Sequence, residues 1–478
     1  MIHTYRYQDH NVVLDVYSGA IHILDDPAFF LVQELDKKNS TDASSLAFLL
    51  RARFPEIAEK DLQETVAEVQ TLIDESSLFT EDSYKDLSLN LTERKTNVKA
   101  LCLNVAHTCN LDCDYCFASQ GKYHGERAVM TWDVAKRAID FLIEQSGHHR
   151  NLDIDFFGGE PMLNWDLVKK TVEYAESIQD RYSKVFRFTF TTNGLLMDDE
   201  VNAFLNEHMH NVVLSLDGRK EIHDRLRHTI SGKGSYDLIV PKFQRFVASR
   251  GDREYYVRGT YTKNNVDFAS DVIHMANLGF HRLSMEPVIG DPEEPYMLSA
   301  EDLDALYEQY DLLTAEMMRR NRLARKAKAE GKTVADLPVE DQPFIFYHFM
   351  LNLSEGPCIY KRISGCGSGT EYMAVTPWGE LFPCHQFVGE KPYSIGNVFD
   401  GILEEKIIGQ FRGANCDSRP ECHDCWAKLY CSGGCSANAL HATGNLQGTV
   451  PFSCDLFRKR VECAIALKID EAIGADES

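Results

Sequence analysis

Between Lys99 and Val288 the chain repeats one pattern, a short apolar or aromatic run followed by an amphipathic helical stretch. The runs are KALCLNVA (99–106), LDIDFF (152–157), FRFTFT (186–191), NVVLSL (211–216), YYVRGTY (255–261) and HRLSMEPV (281–288). Helical periodicity fills 131–145, 164–178, 198–208, 234–248 and 267–279, with Thr131 placed to cap the first. Six strands with crossover helices dictate a parallel sheet, open or curled into a partial barrel. Such sheets do their chemistry beyond the C-terminal ends of the strands. The loops after these runs are the working end.

The flanks read differently. HTYRY, NVVLDVY and GAIHILD alternate as strands, with YSGA (17–20) as a hairpin turn. DPAFFLVQELD, SSLAFLLRARF and AEKDLQETVAEVQTLIDES follow as helices. Residues 1–80 thus read as a winged-helix-like module, and the polar stretch 81–97 as a linker. The α/β core is expected over 98–300, a charged helical bridge over 301–350, and a cysteine-rich domain over 351–478. The basic run in the bridge reads as a solvated helix face.

At 478 residues the chain exceeds one compact core. No apolar run approaches the roughly 20 residues of a membrane span, and MIHTYRYQDHNVVLDV lacks the build of a signal peptide. A cytoplasmic protein with no membrane partner is expected. The formal charge of −23 argues against a nucleic-acid partner. In a reducing compartment the 14 cysteines point to metal or catalysis rather than disulfides. None precedes Cys102, four lie in 102–116, and ten lie in 358–463. Two regions need two explanations.

The first is HTCNLDCDYCFAS (107–119), which sets Cys109, Cys113 and Cys116 as C-x3-C-x2-C. Structural zinc completes four ligands, usually through paired C-x2-C, and only His107 stands nearby as a fourth. Three thiolates on one loop suit an iron–sulfur cluster with one open iron. FFGGEP (156–161), TTNG (191–194), SLDG (215–218) with HDRLR, and LSMEPV (283–288) end the following strands. Glycines admit close backbone approach, and Glu160 can accept a bond from an ammonium group.

With Tyr115 as the aromatic, C-x3-C-x-aromatic-C resembles the signature of the radical S-adenosylmethionine enzymes. The resemblance implies a partial (β/α)6 barrel. In it, Cys109, Cys113 and Cys116 hold a [4Fe–4S] cluster whose open iron chelates the methionine moiety of S-adenosylmethionine, the source of a 5′-deoxyadenosyl radical. It also implies cofactor contacts from Tyr115, from Gly158, Gly159, Glu160 and Pro161, and from Asn193. Ser215 and Asp217 would lie near the ribose and carboxylate, Arg227 would pair with that carboxylate, and Glu286 and Pro287 would face the adenine.

The second region, CHDCWAKLYCSGGC with GELFPC upstream, resembles the SPASM extension of these enzymes, which carries two auxiliary [4Fe–4S] clusters. Carried over by position, Cys422, Cys425, Cys431 and Cys454 would hold the outer one. Cys366, Cys384 and Cys435 would hold the inner one, with either Cys358 as fourth ligand or that position free to take a substrate thiolate. That makes three clusters in all; a pair of zinc sites is the alternative. Cys102 reads as core, while Cys416 and Cys463 carry no assigned role.

The N-terminal module is acidic, which argues against a DNA reader. It looks like the peptide-recognition element of ribosomal-peptide maturases, in which a leader peptide adds beside the third strand, here 20–25, and packs on the last helix, here 59–74. VVLDVYSGAIHILDD and GTEYMAVTPWGELFPCHQFVGE resemble the SCIFF-peptide maturases and their ranthipeptide-forming relatives. The resemblance implies thioether formation between a Cys sulfur of a precursor peptide and a carbon of another residue, with flavodoxin or ferredoxin as reductant. An anaerobic sulfatase-maturase-like dehydrogenase is the runner-up. That group has Asp after the G-x4-C cysteine, where this chain has His385, a candidate base or a donor to cluster sulfur. A non-enzymatic redox regulator is a third reading, but it has no use for GGEP or SLDG.

Overall fold

The computed structural model describes residues 1–84, 96–351 and 358–476, with side chains to residue 474. Most of the expected 81–97 linker therefore lies outside the described residues. The chain divides into two compact units. One gathers the N-terminal residues with 358–365 and 415–433; the other holds 96–351, 366–414 and the segment from Gly434 onward.

In the first unit, β1 (Ile2–Tyr7), β2 (His10–Asp15) and β3 (Ile21–Leu24) form an antiparallel sheet in that order, leaving β3 an edge strand. The expected hairpin turn is tied by Asp15, whose carboxylate accepts from the backbone N–H of Tyr17 (3.2 Å) and Ser18 (2.9 Å). Helices Asp26–Lys37, Ala47–Arg53 and Glu59–Asp74 follow, with Asp25 capping the first through the Ala28 N–H at 2.9 Å. Leu31, Val32, Leu35, Leu50, Leu62 and Val69 close one core with Val13 of β2. A second core joins Val16 to Ile363, Cys416, Cys422 and Leu429, and the His3 ring stacks on Trp426 at 3.7 Å. The 415–433 segment thus folds with the N-terminal strands.

The second unit is built on one large sheet and a separate two-stranded ribbon. Its first strands are β4 (Ala100–His107), β5 (Leu111–Cys113), β6 (Ala128–Val129), β7 (Asn151–Gly158), β8 (Val185–Thr192), β9 (Met209–Ser215), β10 (Arg227–Thr229), β11 (Glu254–Tyr261) and β12 (Arg282–Pro287). The six runs seen in sequence are β4, β7, β8, β9, β11 and β12, and they pair in that order, all parallel. Helices Trp132–Gln145, Trp165–Tyr182, Asp199–His208, Tyr236–Arg250 and Phe268–Asn277 lie between them in sequence. Thr131 sits at the N-cap position of the first, but its side chain makes no capping bond.

The sheet is wider than the sequence pattern indicates. β13 (Ile345–Phe346) pairs parallel with β12, and β14 (Tyr372–Val375) pairs parallel with β4. β15 (Glu380–Phe382), β16 (Gly396–Asn397) and β17 (Gly401–Ile402) continue from β14 antiparallel. Strands of two to four residues are too short to register a period.

Along β7, β8 and β11 polarity alternates, whereas β4 is buried from Leu101 to His107. Leu152, Ile154, Phe156, Phe186, Phe188 and Phe190 are buried, whereas Asp155, Thr189, Thr191, Tyr256 and Arg258 face a cavity. The helix Leu303–Ala329 packs along Pro451–Asp476, with Asp470 accepting from Arg322 (2.7 Å) and Arg325 (2.9 Å). Among the described residues no helix is long and apolar enough to cross a membrane.

Candidate active site

The cavity occupies about 520 Å³ and is lined by the expected strand-end loops together with Cys435 and His385. Backbone pairing fixes the cysteine loop within it. β5 and β10 form an antiparallel ribbon that sets Arg227 opposite Cys113. Tyr115 Oη donates to Asp217 Oδ2 at 2.5 Å and accepts from Arg227 Nη1 at 2.9 Å. The other Asp217 oxygen accepts the Thr260 N–H at 3.0 Å. Fully buried and bonded on both oxygens, Asp217 is a strut between the SLDG turn and the cysteine loop.

The GGE turn is bonded to the same loop. Gly159 N–H donates to Ala106 O at 2.8 Å, and Glu160 N–H to Thr108 O at 2.9 Å. A Cβ at Gly158, where φ is +128°, would lie 2.4 Å from Ala106 O; one at Gly159 would lie 2.2 Å from Thr108 O. The two glycines therefore admit the backbone of the cysteine loop, a role that the reading of a ligand approach had not included. Glu160, 1% exposed, accepts from Thr192 Oγ1 (2.9 Å) and from the N–H of Met162 (3.1 Å) and Asn193 (2.8 Å). Burial nevertheless pushes its carboxyl up to about 7. Asn193 donates to Asn110 Oδ1 at 2.8 Å and reaches Cys109 Sγ at 3.7 Å. Pro161 opens a short 3-10 turn, and Ser215 pairs in register with Arg258.

Glu286 lines the cavity and meets His348 Nε2 at 3.1 Å. Burial alone would raise its carboxyl, but His348, Arg460 and Arg258 hold it at about 2. Pro287 lines the cavity beside it.

Cys109, Cys113 and Cys116 all line the cavity, and burial pushes the first two thiols up to about 11 and about 12. Only a strong Lewis acid would deprotonate them there. Among the described residues no three His, Cys, Asp or Glu side chains converge as a single ion would need. A cluster spreads its thiolate ligands over several irons, and this donor set fits it. His107 does not line the cavity; it is 2% exposed, and its ring stacks on Tyr123 at 4.7 Å.

Of the later cysteines, Cys384 is buried with Cys435 and Cys366 as its electrostatic neighbours. Ser432, Gly433 and Gly434 are all left-handed (φ 59°, 84° and 81°); Cys431 belongs to the first unit and Cys435 to the second. Cys358, Cys422 and Cys425 belong to the first unit, and Cys454, on the helix Pro451–Asp476, to the second. Cys416 is buried in the first unit, and Cys463 approaches Asp311 at 3.8 Å.

His385 Nδ1 lies 3.2 Å from Tyr372 Oη and its ring 5.1 Å from that of Phe157. Burial pushes its imidazole down to about 4. Cys102, read as core, also lines the cavity, beside Tyr372. Sequence reasoning missed Asp155, Tyr256, Arg258 and Tyr372. Burial, then Asp153, raise the Asp155 carboxyl to about 7. The signal was present: a parallel strand covered on both faces is apolar throughout, whereas LDIDFF, FRFTFT and YYVRGTY alternate.

Comparison with known proteins gives these loops a family. The radical SAM superfamily model matches residues 103–255, and the SPASM iron–sulfur cluster-binding domain model matches 366–426. The radical SAM cyclopropyl synthase TigE of Paramaledivibacter caminithermalis is 21% identical over 77% of this chain and 74% of its own. A cysteine-type anaerobic sulfatase-maturating enzyme of Clostridium novyi is 24% identical over 69% of this chain and 85% of its own. Streptococcus suis SuiB, whose structure is solved with the precursor peptide SuiA, shares the fold at a TM-score of 0.50 and 14% identity, over 94% of this chain and 97% of its own. The chain thus carries a radical SAM domain and, after it, an SPASM domain, with homologues among the SPASM-containing maturases.

Proposed function

We propose that this chain matures a ribosomally made, Cys-rich precursor peptide, joining a Cys sulfur to a carbon of an acceptor residue, as the SCIFF and ranthipeptide maturases do. The observation that carries the reading is one cavity lined both by the Cys109–Cys116 thiols and by Cys435. With a [4Fe–4S] cluster on Cys109, Cys113 and Cys116, bound S-adenosylmethionine supplies a 5′-deoxyadenosyl radical. Gly158, Gly159, Glu160, Pro161 and Asn193 frame the cofactor's amino end, Arg227 its carboxylate, Ser215 its ribose and Glu286 its adenine. Tyr115 and Asp217 hold the loop that presents them.

Two auxiliary clusters are assigned as in the SPASM pattern: Cys422, Cys425, Cys431 and Cys454 for one, and Cys358, Cys366, Cys384 and Cys435 for the other. The core, residues 98–300, is read as a partial (β/α)6 barrel, followed by the bridge 301–350 and the SPASM region 351–478. Residues 1–80 are read as a winged-helix-like leader-binding module, whose exposed strand edge β3 would take the leader as an added strand. SuiB, solved with its precursor peptide, matches nearly the whole chain, which supports a peptide substrate. A cytoplasmic flavodoxin or ferredoxin would supply electrons. His385 would accept a proton or donate to cluster sulfur; His385→Gln with full turnover and an unchanged pH profile removes the proton-accepting role.

Each linkage would break one C–H bond, its hydrogen going to the 5′-deoxyadenosyl radical, and one S–H bond, its proton going to a base; one C–S bond forms, the remaining electron would pass to an auxiliary cluster, and the peptide is lighter by two hydrogens. A sulfatase-maturase-like dehydrogenation, favoured by the Clostridium novyi relative, also begins with loss of two hydrogens from Cys, but it gives a thioaldehyde whose hydrolysis to the carbonyl expels hydrogen sulfide. The deciding test uses the reconstituted, reduced chain, S-adenosylmethionine and the small Cys-rich peptide encoded beside the gene. The expected product carries an intact backbone and one fewer alkylatable thiol per ring, with fragmentation blocked between the joined residues. A product in which a Cys has become a carbonyl residue overturns thioether formation. Absence of 5′-deoxyadenosine overturns the enzyme reading altogether.

A further inference from the structure

Arg258 is a cation that the reading above leaves unused. It stands on β11, in register with Ser215 of β9 on one side and Ser284 of β12 on the other. Strand alternation sends Tyr256, Arg258 and Thr260 into the cavity, while Val257 and Gly259 turn the other way. Among the described residues no side-chain hydrogen bond or ion pair holds its guanidinium.

The charged groups around it are already committed. Glu286 is tied to His348 at 3.1 Å, and Asp217 accepts from Tyr115 and Thr260. Glu160 is occupied by Thr192, Met162 and Asn193. Asp155 is hydrogen-bonded to Thr189. Arg258 is solvent-exposed where it lines the cavity, and a guanidinium presented in this way is matched to a planar anion, which it binds through two parallel N–H bonds.

We propose that Arg258 forms a carboxylate-binding subsite for the substrate peptide, holding an acidic side chain next to the residue that reacts. This rests on the peptide-maturase reading and narrows its substrate class. Two carboxylates enter such a site, that of the peptide and that of S-adenosylmethionine. The cofactor's has Arg227, locked opposite Cys113 at the cysteine loop. Arg258 instead projects from β11 into the cavity that His385 also lines. A peptide carboxylate there brings its own residue into the cavity that Cys109, Cys113, Cys116 and Cys435 line.

The test measures binding to the reconstituted full-length chain saturated with S-adenosylmethionine, using N-acetyl-aspartate amide and N-acetyl-asparagine amide as probes in saturation-transfer NMR. The wild type should bind the aspartate probe and not the asparagine one. Arg258→Gln should weaken the aspartate probe about tenfold or more, the loss of one bidentate charged pair, and Arg258→Lys should recover part of it. Affinity for S-adenosylmethionine, measured by equilibrium dialysis, should stay the same in both variants. Equal binding of both probes by the wild type overturns the subsite without recourse to any variant. A tenfold loss of S-adenosylmethionine affinity in Arg258→Gln, with the aspartate probe unaffected, assigns Arg258 to the cofactor and also overturns it. Because neither probe is turned over, a peptide that stays unmodified while the aspartate probe binds as stated removes the maturase reading and leaves the subsite standing.

Discussion

Gly159→Ala tests how the cysteine loop is held. The added Cβ would lie 2.2 Å from Thr108 O, 2.5 Å from Thr108 C and 3.0 Å from Gly121 Cα. All three are backbone atoms, so no side chain can swing aside. Non-bonded heavy atoms rest at about 3.5–4 Å, so the GGE turn and residue 108 must part by about an ångström. Thr108 precedes Cys109, and the Glu160 N–H bond to Thr108 O at 2.9 Å lies in the gap that opens. Overpacking of this kind costs about 1–3 kcal/mol, and an ångström of misplacement in a reacting constellation costs about a hundredfold in rate. The assay is paired: urea unfolding of the apo chain, and 5′-deoxyadenosine formation by the reconstituted one. Gly409→Ala is the control, because it lies in the helix Glu405–Gly413 with nothing within 4 Å of its Cβ. That change should stabilise by about 0.5–1 kcal/mol. Wild-type stability together with a wild-type rate in Gly159→Ala would refute the packing argument.

Three further outcomes are expected. Asp155 has its folded pKa raised from 3.8 to about 7 by burial, so its favourable contribution is complete below about pH 4 and is lost as pH rises through 7. Asp155→Asn should remove that decline, worth up to ~4 kcal/mol at pH 8; an unchanged slope of unfolding free energy between pH 4 and 7 would count against it. Tyr115→Phe deletes the bond to Asp217 and the one from Arg227, which should cost about 2 kcal/mol and lower the iron retained per chain; unchanged values of both would sink the strut. Ile23 is 45% exposed on the edge strand β3, so Ile23→Asp should weaken binding of a fluorescent leader peptide about tenfold while leaving the unfolding midpoint in place; undiminished leader binding would move the leader elsewhere.

The six core strands were legible because each is six to eight residues long and bounded by loops with Gly, Asp or Asn. The cysteine, GGE and SLDG loops were legible as residue types in a fixed order. What they touch was not. That Asp217 braces Tyr115, and that Gly159 meets Thr108, are contacts across 102 and 51 positions that no local period encodes. Arg258 and Asp155 were visible as letters, but their importance depends on which face of a strand looks inward, and register sets that. The partnership of residues 415–433 with the N-terminal strands was hidden for a similar reason. It turns on His3 meeting Trp426 and on three successive left-handed residues at 432–434.

Arg460 bears on the order in which the site is completed. It lies on the helix Pro451–Asp476, donates to Tyr310 Oη at 2.7 Å and reaches His348 Nδ1 at 3.3 Å, and His348 in turn meets Glu286. During synthesis the cysteine loop and all six core strands leave the ribosome long before this arginine does. A nascent chain therefore holds Cys109, Cys113 and Cys116 in a cavity with one wall unbuttressed and Glu286 short of a cation. A cluster on these cysteines would be best delivered once the helix Pro451–Asp476 has seated, and a chain stalled short of Arg460 would be a poor recipient.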